Sequence, residues 1–147
     1  MQAALKGCAT GESLVTEISS VVVDAVVAHA REAAPAECCG LLLGTGNMVM
    51  AAARTRNIAN DPTRRFEIDP QDHTDVRRDA RSRGLAVLGF YHSHPRSPAV
   101  PSPTDLAEAS YPDHLYLIVG LAAATPDVGL FRLEGGNFRA TGFVTVG

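Results

Sequence analysis

The chain has 147 residues, 46% apolar and 20% charged, with a net charge of −3. This is one domain's length and an ordinary globular balance. It lacks the basic footprint of a nucleic-acid binder and the run of ~20 apolar residues that a membrane-spanning helix needs.

In chain order, residues 1–12 read as a loosely ordered leader without the continuous apolar region of a signal peptide, and residues 13–147 as a single domain. A first strand is expected over 14–18. A helix then runs from Ser19 or Ser20 to about Ala34, with Val23, Val26, Val27 and Ala30 as its core stripe and His29 on its surface. Residues 38–44 and 48–57 read as a strand pair across Thr45-Gly46-Asn47, with 60–65 as loop. The adjacent Cys38 and Cys39 should face opposite sides of their strand, with one thiol buried. Together with Cys8 they form no disulfide framework and no CxxC pair, which implies a reducing cytoplasmic setting.

Asp69-Pro70 starts a second helix that ends near Gly84 and offers only Val76 and Ala80 to a core. Its arginines Arg77, Arg78, Arg81 and Arg83 read as a solvated face, with docking of an acidic partner as the alternative. Residues 84–91 form an apolar strand. Side chains alternate along a strand, so Leu88, Phe90, His92 and His94 should share one face. After an irregular proline-rich stretch, Ser102-Pro103 starts a helix over 104–110, with Ser102 as N-cap and Asp105 in the first turn. An interior strand over 115–121 follows. Residues 128–133 and 137–146 then form a hairpin across Glu134-Gly135-Gly136. The whole is an α/β plan, a mixed β-sheet flanked by helices.

Two imidazoles emerging together at a strand end, with a carboxylate returning on the next helix, make a ligand set of catalytic type. Three protein ligands leave the fourth tetrahedral position of zinc for water. Other divalent ions also accept nitrogen and oxygen ligands, but zinc suits this set best. A water so held ionises near pH 7, and Glu37, at the mouth of the 38–44 strand, is the candidate base. Each part also has a plain structural reading: an HxH on a strand face, a capping box at Ser102 and Asp105, a solvated strand end at Glu37. A hydroxyl can cap and still donate to a substrate oxyanion.

Taken together, Glu37, His92-Ser93-His94-Pro95, Ser102 and Asp105 resemble the JAMM (MPN-plus) metalloprotease signature of compact stand-alone bacterial type. Asn57, the segment from Phe66 to Pro70 and the strand from Leu115 to Val119 resemble further landmarks of that family, so the likeness covers about residues 14–146. The resemblance implies a single MPN domain of JAB1/MPN, cytidine-deaminase-like fold. It implies zinc on His92, His94 and Asp105, acid–base work by Glu37 and oxyanion stabilisation by Ser102. It further implies hydrolysis of a peptide or isopeptide bond after the Gly-Gly tail of a ubiquitin-like sulfur carrier protein. A deubiquitinase-like isopeptidase and a catalytically silent MPN binding module are the alternatives. The H-E-x-x-H string of zincins and the P-C-x-x-C of nucleobase deaminases are both missing from the sequence.

Overall fold

A computed structural model describes residues 15–147; the leader, Cys8 and Leu14 lie outside these residues. The elements are β1 (Thr16–Ser19), α1 (Ser20–Ala33), β2 (Cys39–Thr45), β3 (Met48–Thr55), α2 (Pro70–Ser82), β4 (Ala86–His94), α3 (Pro103–Glu108), β5 (Leu115–Gly120), β6 (Asp127–Glu134), β7 (Asn137–Ala140) and β8 (Phe143–Val146). All eight strands join one mixed sheet in the order β7-β6-β5-β4-β2-β3-β1-β8. Strands β4 and β5 run parallel, as do β1 with β3 and β1 with β8.

The two edge strands follow one another in sequence, separated only by Thr141 and Gly142. A link that short spans about 10 Å, so the sheet must curl until its edges approach. This corrects the expected C-terminal hairpin. Only β7 pairs with β6, while residues 143–146 cross to the far edge and pair with β1. An exposed β1 edge gains its second partner in this way.

Helix α1 covers one face of the sheet, where Val22, Val26 and Ala30 pack against Leu42, Tyr91 and Leu117. Val23 and Val27 are only partly buried, so the stripe centres one residue earlier than the sequence implied. His29, expected on the surface, is half-buried with Nδ1 2.8 Å from the Tyr91 hydroxyl. The opposite face takes Val76 and Ala80 of α2 against Leu41, Leu43 and Phe90. Burying each such leucine is worth roughly 1.5–3 kcal/mol. Among the described residues, no helix is long and apolar enough to cross a membrane.

Because the sheet is covered on both faces, both thiols are buried: Cys38 joins the α1-side core and Cys39 packs its sulfur 3.3 Å from Thr55 Oγ1. Burial pushes them up to about 11 and about 12 respectively, so neither is a ready thiolate. The arginines of α2 are partly neutralised by their own helix, Arg78 lying 3.6 Å from Asp75 and Arg83 3.1 Å from Asp79.

A second correction concerns β4. The register against β2 slips between Leu42 and Leu43, pairing Leu42 with Gly89 but Leu43 with Val87. Leu88 is the unpaired extra residue, and it packs on the α1 side while Phe90 packs on the α2 side. A bulge shifts the alternation by one residue. Beyond the bulge the pattern resumes, so Phe90 and His92 border one cavity.

Candidate metal centre and acid–base site

His92 and His94 end β4 as buried residues, 2% and 5% exposed. Asp105 reaches them from α3 through the folded-back loop 95–101. That loop depends on two glycines of neighbouring strands. A Cβ on Gly120 would stand 2.5 Å from Ala99 N, and one on Gly129 2.6 Å from Ala99 O. Only glycine lets the loop backbone lie this close to the sheet.

Three ligand atoms converge. His92 Nε2 and His94 Nε2 lie 3.2 Å apart, and Asp105 Oδ2 lies 3.2 Å from the first and 3.0 Å from the second. Zinc–ligand bonds of about 2.0–2.1 Å in a tetrahedron give edges of about 3.3–3.4 Å, so this triangle needs only a slight opening to hold the ion. His94 Nδ1 is 2.9 Å from the Pro98 carbonyl oxygen. A carbonyl only accepts, so Nδ1 carries the proton and the Nε2 lone pair faces the other ligands, the outer-shell arrangement typical of metal-binding histidines. Phe66 stacks on the His92 ring at a centroid distance of 4.4 Å and fixes its plane. The donor set therefore fits zinc.

Electrostatics agree. Burial alone would raise the Asp105 carboxyl, but the two imidazoles and the Ser102 N–H hold it far below the usual carboxylate range. Its two neighbours diverge: burial keeps His92 low, whereas Asp105 and the Pro98 carbonyl outweigh burial at His94 and raise it.

Ser102 and Asp105 form a reciprocal capping box: Ser102 Oγ accepts Asp105 N–H at 3.0 Å and Asp105 Oδ2 accepts Ser102 N–H at 2.9 Å. The structural and ligand readings of these residues thus coexist in one geometry. Helix α3 stops at Glu108, short of the expected residue 110, before the Tyr111-Pro112 step that disfavours helix.

Glu37 is not a solvated strand end. It is 5% exposed, and its Oε1 is a buried side-chain oxygen without a hydrogen-bond partner among the described residues. Burial, reinforced by Asp105 and Glu108 and opposed by His94, raises its carboxyl to about 7. A carboxyl poised there can both accept and return a proton at neutral pH.

Several features of the site carried no role in the sequence reading. Ser93, between the histidines, accepts Cys38 N–H on its Oγ at 2.8 Å and ties β4 to the residue after Glu37. A cavity of about 330 Å³ opens beside His92 and Asp105, with Phe66, His73, Phe90, Tyr111 and Tyr116 among its walls. Phe66 and Tyr116 fall in segments that resemble family landmarks, but no sequence signal tied them to a cavity, and the aromatic content of these segments is explained equally well by core packing.

Residues 19–134 match the family described as prokaryotic homologs of the JAB domain. The chain belongs to this prokaryotic JAMM/MPN family. Among curated relatives it is 43% identical over 101 residues to a "Desampylase" of Haloferax volcanii, covering 65% of this chain and 73% of the relative. It is 32% identical over 111 residues to a "CysO-cysteine peptidase" of Mycobacterium tuberculosis, covering 74% and 75%. A solution structure of a protein from Desulfitobacterium hafniense matches 89% of this chain and 92% of its own at 31% identity, with a TM-score of 0.81. The fold is also that of a JAB1/MPN domain protein from Archaeoglobus fulgidus, at 18% identity over 92% and 99% of the two chains and a TM-score of 0.59. The chain is a JAMM-type hydrolase.

Proposed function

We propose that this hydrolase is a zinc-dependent, cytoplasmic peptidase or isopeptidase that cuts the amide bond after the Gly-Gly tail of a ubiquitin-like sulfur carrier protein. The observation that carries the reading is the triangle of His92, His94 and Asp105 ligand atoms, 3.0–3.2 Å on its edges, together with the buried Glu37, whose Oε1 has no hydrogen-bond partner among the described residues. The names Desampylase and CysO-cysteine peptidase, borne by relatives, support a carrier-type substrate.

His92, His94 and Asp105 would hold the metal. The chemistry it supplies when bound is Lewis acidity, polarising the scissile carbonyl and acidifying a water. The remaining work falls to the chain. Glu37, as carboxylate, takes a proton from the attacking water and returns it to the leaving amine. Ser102 keeps its hydroxyl proton free while its oxygen caps α3, and that proton is assigned to the oxyanion. Glycines beside the bond let the tail's backbone approach the site closely. The apolar cavity next to His92 then takes a side chain from further along the tail.

The test is incubation of the zinc-loaded enzyme with a carrier extended past its Gly-Gly, following the product mass. Release of the extension with the carrier ending at Gly-Gly is expected. An intact extended carrier, with folded ubiquitin chains or unrelated peptides cut instead, would overturn the substrate.

A further inference from the structure

Glu37 precedes β2, so no strand ladder holds its own N–H and C=O, and β4 reaches only the next residue, Cys38, whose N–H donates to Ser93 Oγ. The N–H and C=O of Glu37 itself are held by the loop after β3. Glu37 N–H donates to the Pro62 carbonyl at 2.7 Å, and the Glu37 carbonyl accepts from Asn57 Nδ2 at 3.0 Å. The same Nδ2 donates to the Arg65 carbonyl at 3.1 Å. At its other end, Asn57 Oδ1 accepts the N–H of Ala59 and that of Glu67, each at 3.0 Å. One half-buried amide therefore fastens both ends of the 59–67 segment and joins that segment to Glu37. The segment also carries Phe66, which stacks on His92 and walls the cavity.

We propose that Asn57 is a positioning residue of the reaction, holding the Glu37 carboxyl in register with the histidines and the substrate cavity. The inference rests on the acid–base reading of Glu37 given above and deepens it. The two ends of the side chain divide the work. Oδ1 folds the loop, as an asparagine does in an Asx turn, and Nδ2 makes the tie to Glu37. Asn57→Asp keeps the first function and reverses the second, since a carboxylate oxygen then faces two carbonyl oxygens.

A purely structural asparagine and a positioning one differ in how their loss combines with loss of Glu37. Zinc content, kcat and KM are measured for the zinc-loaded wild type, Asn57→Asp, Glu37→Gln and the double variant. Asn57→Asp should keep its zinc and lower kcat by about 10- to 100-fold, as a misplacement of about 1 Å does, with KM changing far less. In the Glu37→Gln background the same change should lower kcat less than about threefold, because groups that act as a unit are not additive. Wild-type kcat in Asn57→Asp, an equal loss in both backgrounds, or loss of zinc overturns the proposal. Wild-type kcat in Glu37→Gln instead overturns the underlying acid–base assignment. Should Asn57→Asp not fold, Asn57→Ser goes through the same cycle, its hydroxyl retaining a weaker turn bond but not the reach to Glu37.

Discussion

Asp105 Oδ2, the oxygen that accepts the Ser102 N–H at 2.9 Å, is also the oxygen 3.0 Å from His94 Nε2. The helix cap therefore aims the ligand. Because the aiming bond comes from the Ser102 backbone, Ser102→Ala should keep its metal while losing the cap's other half. The expected cost is about 0.5–2 kcal/mol of stability, typical of a lost N-cap, read by denaturant unfolding. If its hydroxyl also serves the oxyanion, kcat falls by roughly 10² to 10³ at most. An unchanged kcat at full zinc would remove Ser102 from the chemistry.

Each corner of the ligand triangle supplies one of only three protein ligands, so neither His94 nor Asp105 can be spared. Elemental analysis of purified protein should give about one zinc per chain for the wild type and little for His94→Ala or Asp105→Ala. Full stoichiometry in both variants would mean that the metal, if any, sits elsewhere.

Ala109 is a small side chain in the wall of the cavity beside His92. Ala109→Trp should fill that space; because His92 and Asp105 also line it, the variant is compared with the wild type at verified equal zinc content. Its KM for the extended carrier should rise well beyond any change in kcat, the pattern of lost binding energy. Steady-state kinetics on zinc-loaded enzyme decide this, and an unaltered KM would take the cavity out of substrate recognition.

Glu37 gives a pH prediction in metal-free protein. Its folded-state carboxyl is raised to about 7 from an ordinary 4.5, chiefly by burial. Below pH 4.5 the group is protonated whether folded or unfolded and costs nothing. As pH rises toward 7 only the unfolded chain releases the proton, so the wild type loses stability, by up to about 3 kcal/mol, and the loss is constant above pH 7. Glu37→Gln has no such group. Its melting temperature should gain on the wild type between pH 5 and pH 7, measured after chelation, and a difference that does not change with pH would contradict the buried, proton-holding carboxyl.

Much of the site was legible because its parts are local. The HxH alternation, the Pro103 helix start and the three-residue step from Ser102 to Asp105 are short-range geometry, and the structure reproduces them. What escaped depends on pairings between distant segments. The bulge at Leu88 exists only relative to β2. Strand β8 leaves its hairpin because β1, more than a hundred residues earlier, presents an open edge. Gly120 and Gly129 read as strand glycines until the 95–101 loop lies on them. Asn57 stood out as a family landmark, yet its tie to Glu37 crosses from the loop after β3 to the loop before β2, while its other four possible partners lie in its own loop.

The account stands or falls on Glu37 working as a base beside a metal held by other residues. The direct measurement is kcat of Glu37→Gln at verified full zinc occupancy, since the amide keeps the carboxyl's shape and cannot take a proton. A loss of roughly 10² to 10⁴, the range of general acid–base catalysis, with unchanged zinc content is predicted. Wild-type turnover, or loss of the metal, would contradict it.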